Sequence, residues 1–160
     1  LTYPVISAVL AILLCLLHAL RMAGWYTPGI WQKPLLWILY LAYAWIVIGF
    51  ALKAASEFQL IPVMLAVHAF SVGGIGLMTL GMMTRVTLGH TGRNVFQPPK
   101  ILTGLFILIV IASLLRILFP LVLPQYYVLW VTLAQWFWIS AFALFVIIFP
   151  QNLLILSLGP

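Results

Sequence analysis

The sequence predicts an all-α, polytopic transmembrane helical bundle, and three observations carry that prediction. Of 160 residues, 66% are hydrophobic and 5% are charged, against roughly 25% charged in a soluble domain. The apolar residues gather into five runs, each long enough to cross about 30 Å of hydrocarbon at 1.5 Å per residue. Within those runs apolar and polar residues do not alternate, as the strands of a membrane β-barrel require. Helices pair every backbone polar group within the segment, as the bilayer demands.

The spans fall near 2–20, 34–52, 60–84, 101–119 and 125–149, and together form a single transmembrane helical domain. Gly24, Pro28 and Gly29 are expected to break the chain after the first. Pro34 suits the opening turn of the second, where a missing N–H costs nothing. Pro62 is expected in the first turn of the third, without a kink. Gly89 reads as that helix's C-terminal cap. Pro98 and Pro99 precede the fourth span, and Pro120 and Pro124 bracket a short turn into the fifth. Trp25, Trp31, Trp37, Trp130, Tyr126 and Tyr127 lie near span ends, where an interfacial aromatic belt is expected.

The net charge of +6 does not point to nucleic acid, because the cations are scattered rather than set in a run. They read as topology. Arg21, Lys33, Arg85, Arg93 and Lys100 fall on one side, and Lys53 and Arg116 on the other with Glu57, the single acid. The positive-inside rule then places the first and third connections in the cytoplasm, the N-terminus outside and the C-terminus inside. Cys15 is the one cysteine and excludes an internal disulfide. The chain begins at Leu1 and has no signal-peptide pattern. It is expected to be a fragment whose upstream spans are missing.

Ionisable residues at membrane depth are the natural functional candidates. His68 is the deepest, about 12 Å from the boundary. On a 100° wheel it shares a face with Met64, Ser71, Val72, Thr79, Met82 and Met83. Imidazole and thioether both ligate haem iron or copper. A histidine bonded to a neighbouring helix, with methionines filling gaps, explains the same pattern equally well. Gly73, Gly74 and Gly81 lie opposite, with Gly76 and Ala69 to one flank. They read as a close helix contact, and would also admit a flat macrocycle.

His18 lies within a turn of the first span's end, below Ser7, Ala11 and Cys15, a stripe that predicts tight packing. Its own simplest reading is interfacial and solvated. His90 follows the third span on the same side as His18. About 33 Å of helix separates His68 from His90, so two sites are more natural than one three-histidine site. Arg85, Arg93 and Arg116 are able to pair with a carboxylate such as a haem propionate, although topology and lipid headgroups account for them more simply. Tyr40, Tyr43 and Gln135 are expected to supply interhelical hydrogen bonds. A lone acid rules out a carboxylate pair or a Ser-His-Asp arrangement. Metal chemistry, transport or scaffolding remain.

The segment from His68 to Arg93 reads HAFSVGGIGLMTLGMMTRVTLGHTGR. With the upstream LLHALRMAGWYTPGIWQKPLLWILYLAYAW and the downstream LLRILFP, it resembles the NnrS family over nearly the whole chain. That resemblance implies a twelve-span bacterial inner-membrane protein, of which these would be the last five spans. It implies haem and copper as cofactors, a role in the nitric oxide response and denitrification, and nitric oxide itself as a ligand. The upstream half is expected to carry a related histidine and Thr-Gly-Arg helix. By position the motif marks His68, His90 and Arg93, with His18 in the Leu-His-x-Leu-Arg segment. Haem is assigned to His68, since an enclosed site suits a large apolar cofactor. Copper is assigned to His18 and His90, with Met82 and Met83 as softer ligands. The competing functions are a transporter or channel half and a scaffold subunit of a respiratory assembly.

Overall fold

The computed structural model describes residues 2–149. Helix α1 covers Thr2–Trp25 and α2 covers Pro34–Glu57. The third span, Val63–His90, is built from α3 (Val63–His68), a π-helical segment (Ala69–Gly76) and α4 (Leu77–His90). Helices α5 (Ile101–Val122) and α6 (Tyr127–Ile148) complete the five membrane-length helices. Among the described residues there is no strand.

The third span is the centre of the bundle. Half of its most apolar window is buried, against 11% for the first span and 17% for the fifth. It lies between α2 and α5, while α1 flanks α2 and α6 flanks α5. Lipid tails are as apolar as leucine, so close packing and polar contacts hold such helices together rather than hydrophobic transfer. The glycines of the third span make that packing feasible. Leu35, Ile38, Ala42, Trp45 and Gly49 form one buried ridge of α2. Trp45 lies over Gly73, Ile46 over Gly74, and Ile38 with Leu39 over Gly81. Gly49 returns the fit by receiving the ring of Phe70. The expected helix contact is therefore present, and α2 is the helix that fills it.

Several boundaries differ from the sequence reading. Helix α1 runs through Gly24 to Trp25, and the break comes instead at a 3₁₀ turn, Pro28–Gln32. Pro62 is the residue before the third span rather than part of its first turn. Pro120 lies inside α5, close to its end, because a proline there displaces few backbone bonds and α5 continues to Val122. The third span's cap is Gly92, not Gly89. Gly92 has φ +66°, its N–H donates to the Gly89 carbonyl, and the N–H of Arg93 donates to that of Leu88. These two bonds define a Schellman motif. Helix α2 ends the same way with a non-glycine residue: Gln59 has φ +58°, its N–H donates to Ser56, and that of Leu60 donates to Ala55.

The π-helical segment was not legible in the sequence. A π turn takes an extra residue relative to an α turn, so every residue after Gly76 lags behind the 100° wheel. Of the face expected from Met64 to Met83, Ser71, Thr79 and all three methionines are exposed, including Met64, which precedes the π turns. His68 is buried, whereas Met82 and Met83 are 44% and 39% exposed.

Candidate functional site

The site is assembled from α3, the π-helical segment, α5 and α6. His68 is the last residue of α3 before the π turns begin. It is 8% exposed and lies about 8 Å along the helix from Val63. Arg116 on α5 lies about 9 Å from the helix end at Val122. The two spans run in opposite directions, so these depths coincide. Arg116 Nη2 is 3.1 Å from His68 Nε2.

Guanidinium has donors only, so Nε2 of His68 accepts and the ring's proton sits on Nδ1. Both residues keep an unmet valence. Nδ1 of His68 and Nη1 of Arg116 are buried with no hydrogen-bond partner among the described residues. An arginine in the middle of a membrane helix costs about 2.5–3.5 kcal/mol on insertion scales. Snorkelling usually reduces that cost. Here the side chain turns into the bundle instead, which corrects the headgroup reading of Arg116.

An open cavity of about 400 Å³ adjoins Arg116, lined by Val72, Arg116, Ala134, Gln135, Trp138 and Ile139; His68 is not among its walls. Val72 comes from the π-helical segment and the last four residues from α6. Gln135 faces this space, not a neighbouring helix as expected. Trp138 also approaches Gly76, where an added Cβ would lie 3.7 Å from its indole nitrogen. The sequence did carry one signal for the His68–Arg116 contact. Both polar residues lie toward the same membrane face on adjacent spans, and the depths match once the helix ends fall at Val63 and Val122.

The other sequence-marked residues lie elsewhere. With α1 extended to Trp25, His18 is about 10 Å inside the helix rather than at its edge. Its Nδ1 is 2.6 Å from the Tyr43 hydroxyl, and its ring stacks on Phe50 at 5.3 Å and 5°. Tyr43 is thus the interhelical partner expected of it. The stripe beneath His18 packs as expected, with Ala8 and Ala11 buried and Ser7 Oγ donating to Glu57 at 2.8 Å. Glu57 also receives Lys53.

His90, Arg85 and Arg93 are exposed at the opposite end of the third span. There Arg93 lies 5.7 Å from the Phe149 ring. Arg85 shares a small groove with Lys33, Val95 and Phe96, so the first and third connections meet at one end. Trp37 is not an interfacial anchor, since it packs edge-on to Phe106 within the bundle. No group of three or more His, Cys, Asp or Glu is placed to share a metal ion among the described residues.

These features define a polytopic helical membrane protein whose central span is broken by π turns beside an intramembrane histidine–arginine pair. The chain belongs to the NnrS family, whose model, described as NnrS protein, matches residues 1–155. No curated protein and no solved structure matches it.

The donor set can be weighed against the two cofactors the resemblance implies. One imidazole, its lone pair now engaged by Arg116, and one guanidinium with a spare N–H beside an apolar wall from Val72, Ala134 and Ile139 are the groups that would hold a haem once Arg116 released the ring. Copper fits less well. Helix α1, which carries His18, packs mainly on α2. Met82 and Met83 point away from the core, and His90 sits beyond the buried part of α4. The donors His18, His90, Met82 and Met83 do not form one cluster among the described residues.

Proposed function

We propose that this chain forms one wall of a haem site in a bacterial inner-membrane protein of the nitric oxide response. The observation that carries the reading is the His68–Arg116 contact at membrane depth. His68 would hold the haem iron and Arg116 would pair with one of its carboxylates. The lone pair on Nε2 is the one a metal takes, so ligation there requires Arg116 to turn aside. That movement frees a guanidinium whose fork suits a carboxylate. The chemistry such a haem would supply is an iron able to bind nitric oxide. The residues of this chain would orient the ring, balance its charge and exclude water. The π-helical turns support the reading, because such distortions recur at functional sites.

Arg85 and Arg93 lie at the other end of the span from His68 and take the topological role in this reading. With Lys33 and Lys100 they support a cytoplasmic location for that end. Labelling single cysteines at positions 33 and 57 with a membrane-impermeant maleimide, in a Cys15→Ala background, tests the orientation. Position 57 should react from outside intact spheroplasts and position 33 only after lysis.

The deciding experiment is an optical spectrum and copper analysis of the purified full-length protein, its His68→Ala variant and its His18→Ala variant. The reading expects a Soret band lost in His68→Ala and kept in His18→Ala. A wild-type protein without that band rejects it. Normal solute uptake in proteoliposomes by His68→Ala would favour the transport reading, which draws on the cavity beside Arg116.

A further inference from the structure

The charge balance around Arg116 calls for a ligand. Its guanidinium is charged at any pH a protein experiences. Its one bond to the protein goes to a neutral imidazole, and Nη1 is buried without an acceptor among the described residues. The whole sequence contains a single acidic side chain, Glu57. That carboxylate is held by Ser7 and Lys53 near the end of α2. No acidic side chain of this chain is free to neutralise Arg116.

The adjoining cavity has the matching character. Its polar lining is Arg116, Gln135 and Trp138, all of which carry N–H donors, and no acid lines it. The rest is Val72, Ala134 and Ile139. A donor-rich, acid-free space with apolar walls favours an anion that has an apolar body. At about 400 Å³ it is larger than an inorganic ion needs.

We infer that the cavity beside Arg116 binds a carboxylate monoanion, with the Arg116 guanidinium as its counter-charge and Gln135 and Trp138 among its walls. Two sources share that chemistry: a propionate of a bound haem, or an independent carboxylic acid from the membrane or the periplasm. The inference stands on the charge of Arg116 and holds whether or not this protein carries haem.

The test is isothermal titration of the purified full-length protein with butyrate, using butanol as the uncharged control, before and after haem extraction. Haem content is read separately from the pyridine haemochrome spectrum. Butyrate should bind at least ten-fold more tightly than butanol. Arg116→Gln should remove that preference, and Arg116→Lys, which keeps the charge without the fork, should retain part of it. Binding only after extraction identifies a haem propionate as the natural occupant. Binding in both states, or in a protein that never held haem, identifies an independent carboxylate. Equal affinity for butyrate and butanol overturns the inference, as does a butyrate affinity unchanged in Arg116→Gln. Failure of both states to bind butyrate overturns it too, and points to an acidic side chain from outside this sequence. The wild-type comparison needs no variant, so a misfolded Arg116→Gln leaves the inference testable.

Discussion

Arg116 Nη2 lies 3.1 Å from His68 Nε2, joining residues 48 positions apart in sequence at a matching depth in the membrane. The bond makes the imidazole an acceptor and thereby fixes its tautomer. It also links the two helices that carry the site, because α5 bears Arg116 and the third span bears both His68 and the cavity residue Val72.

Breaking that bond from one side leaves a buried group unsatisfied. His68→Leu strands the guanidinium, and the expected loss is roughly 1–3 kcal/mol of unfolding free energy. Arg116→Met strands only a neutral acceptor and should cost less. The double variant should be better than the sum of the two, with a coupling of about 1 kcal/mol, the scale of interhelical polar pairs in membranes. Denaturant titration in mixed micelles measures all four proteins. Strict additivity would mean that the pair contributes no mutual stability.

The glycines of the third span should differ sharply from one another. A Cβ on Gly73 would meet Trp45 at its Cβ and Cδ2, at 2.8 and 2.7 Å. Those atoms are close to the α2 backbone and cannot swing away. Gly73→Ala should cost about 1–3 kcal/mol through overpacking. Gly89 is also helical but has no neighbour within 4 Å. There the same change removes backbone freedom and clashes with nothing, so stability should rise by about 0.5 kcal/mol. Thermal melts of the two variants, compared with wild type, read the difference. Equal effects would show that α2 does not seat on this face.

Much of this architecture was legible because lipid imposes a simple rule on sequence. The five spans follow from apolar run length, and the helix contact follows from Gly73, Gly74 and Gly81. The ends were less legible. Gly89 was the expected cap, and backbone dihedrals rather than composition select Gly92. The site was only half legible. His68 and Arg116 stood out as costly residues, but periodicity was laid on a regular helix. The π turns between Ala69 and Gly76 break that regularity, and even Met64, one turn before His68 on α3, is exposed while His68 is buried. His18 looked interfacial because its span seemed to end at Leu20, five residues before the actual end at Trp25.

The two helix caps offer a paired test of backbone strain. Gln59 and Gly92 occupy equivalent positions in their Schellman motifs, at φ +58° and +66°. A side chain in the left-handed region costs roughly 1–2 kcal/mol. Gly92→Ala should therefore lower stability by about 1 kcal/mol. Gln59→Gly should raise it by ~0.5 kcal/mol, because relief of strain is partly offset by a freer unfolded chain. Opposite signs in the two melts are the expected result, and like signs would contradict the shared geometry.

The π-helical segment yields the prediction that bears most directly on function. Ser71 is exposed and its hydroxyl bonds only the Val67 carbonyl within its own helix. Ser71→Ala should therefore be silent, within about 0.5 kcal/mol, as for surface changes that touch nothing else. Inserting one alanine after Ser71 is a different matter. The π turns already take up residues beyond the α-helical count, so a further one rotates α4 relative to α3 by about 100°, one residue's turn of an α-helix. The bundle cannot then keep Gly81 beneath Ile38 and Leu39 while His68 faces Arg116. One contact must yield. If α4 keeps its seat, His68 leaves Arg116 and the proposed haem is lost from a folded protein. If His68 stays, α4 unseats and the protein melts early or elutes as aggregate. Size-exclusion profile, melting temperature and haem content, measured together on the insertion and on Ser71→Ala, distinguish these outcomes. An insertion variant with wild-type values in all three would show that this segment has no part in placing His68.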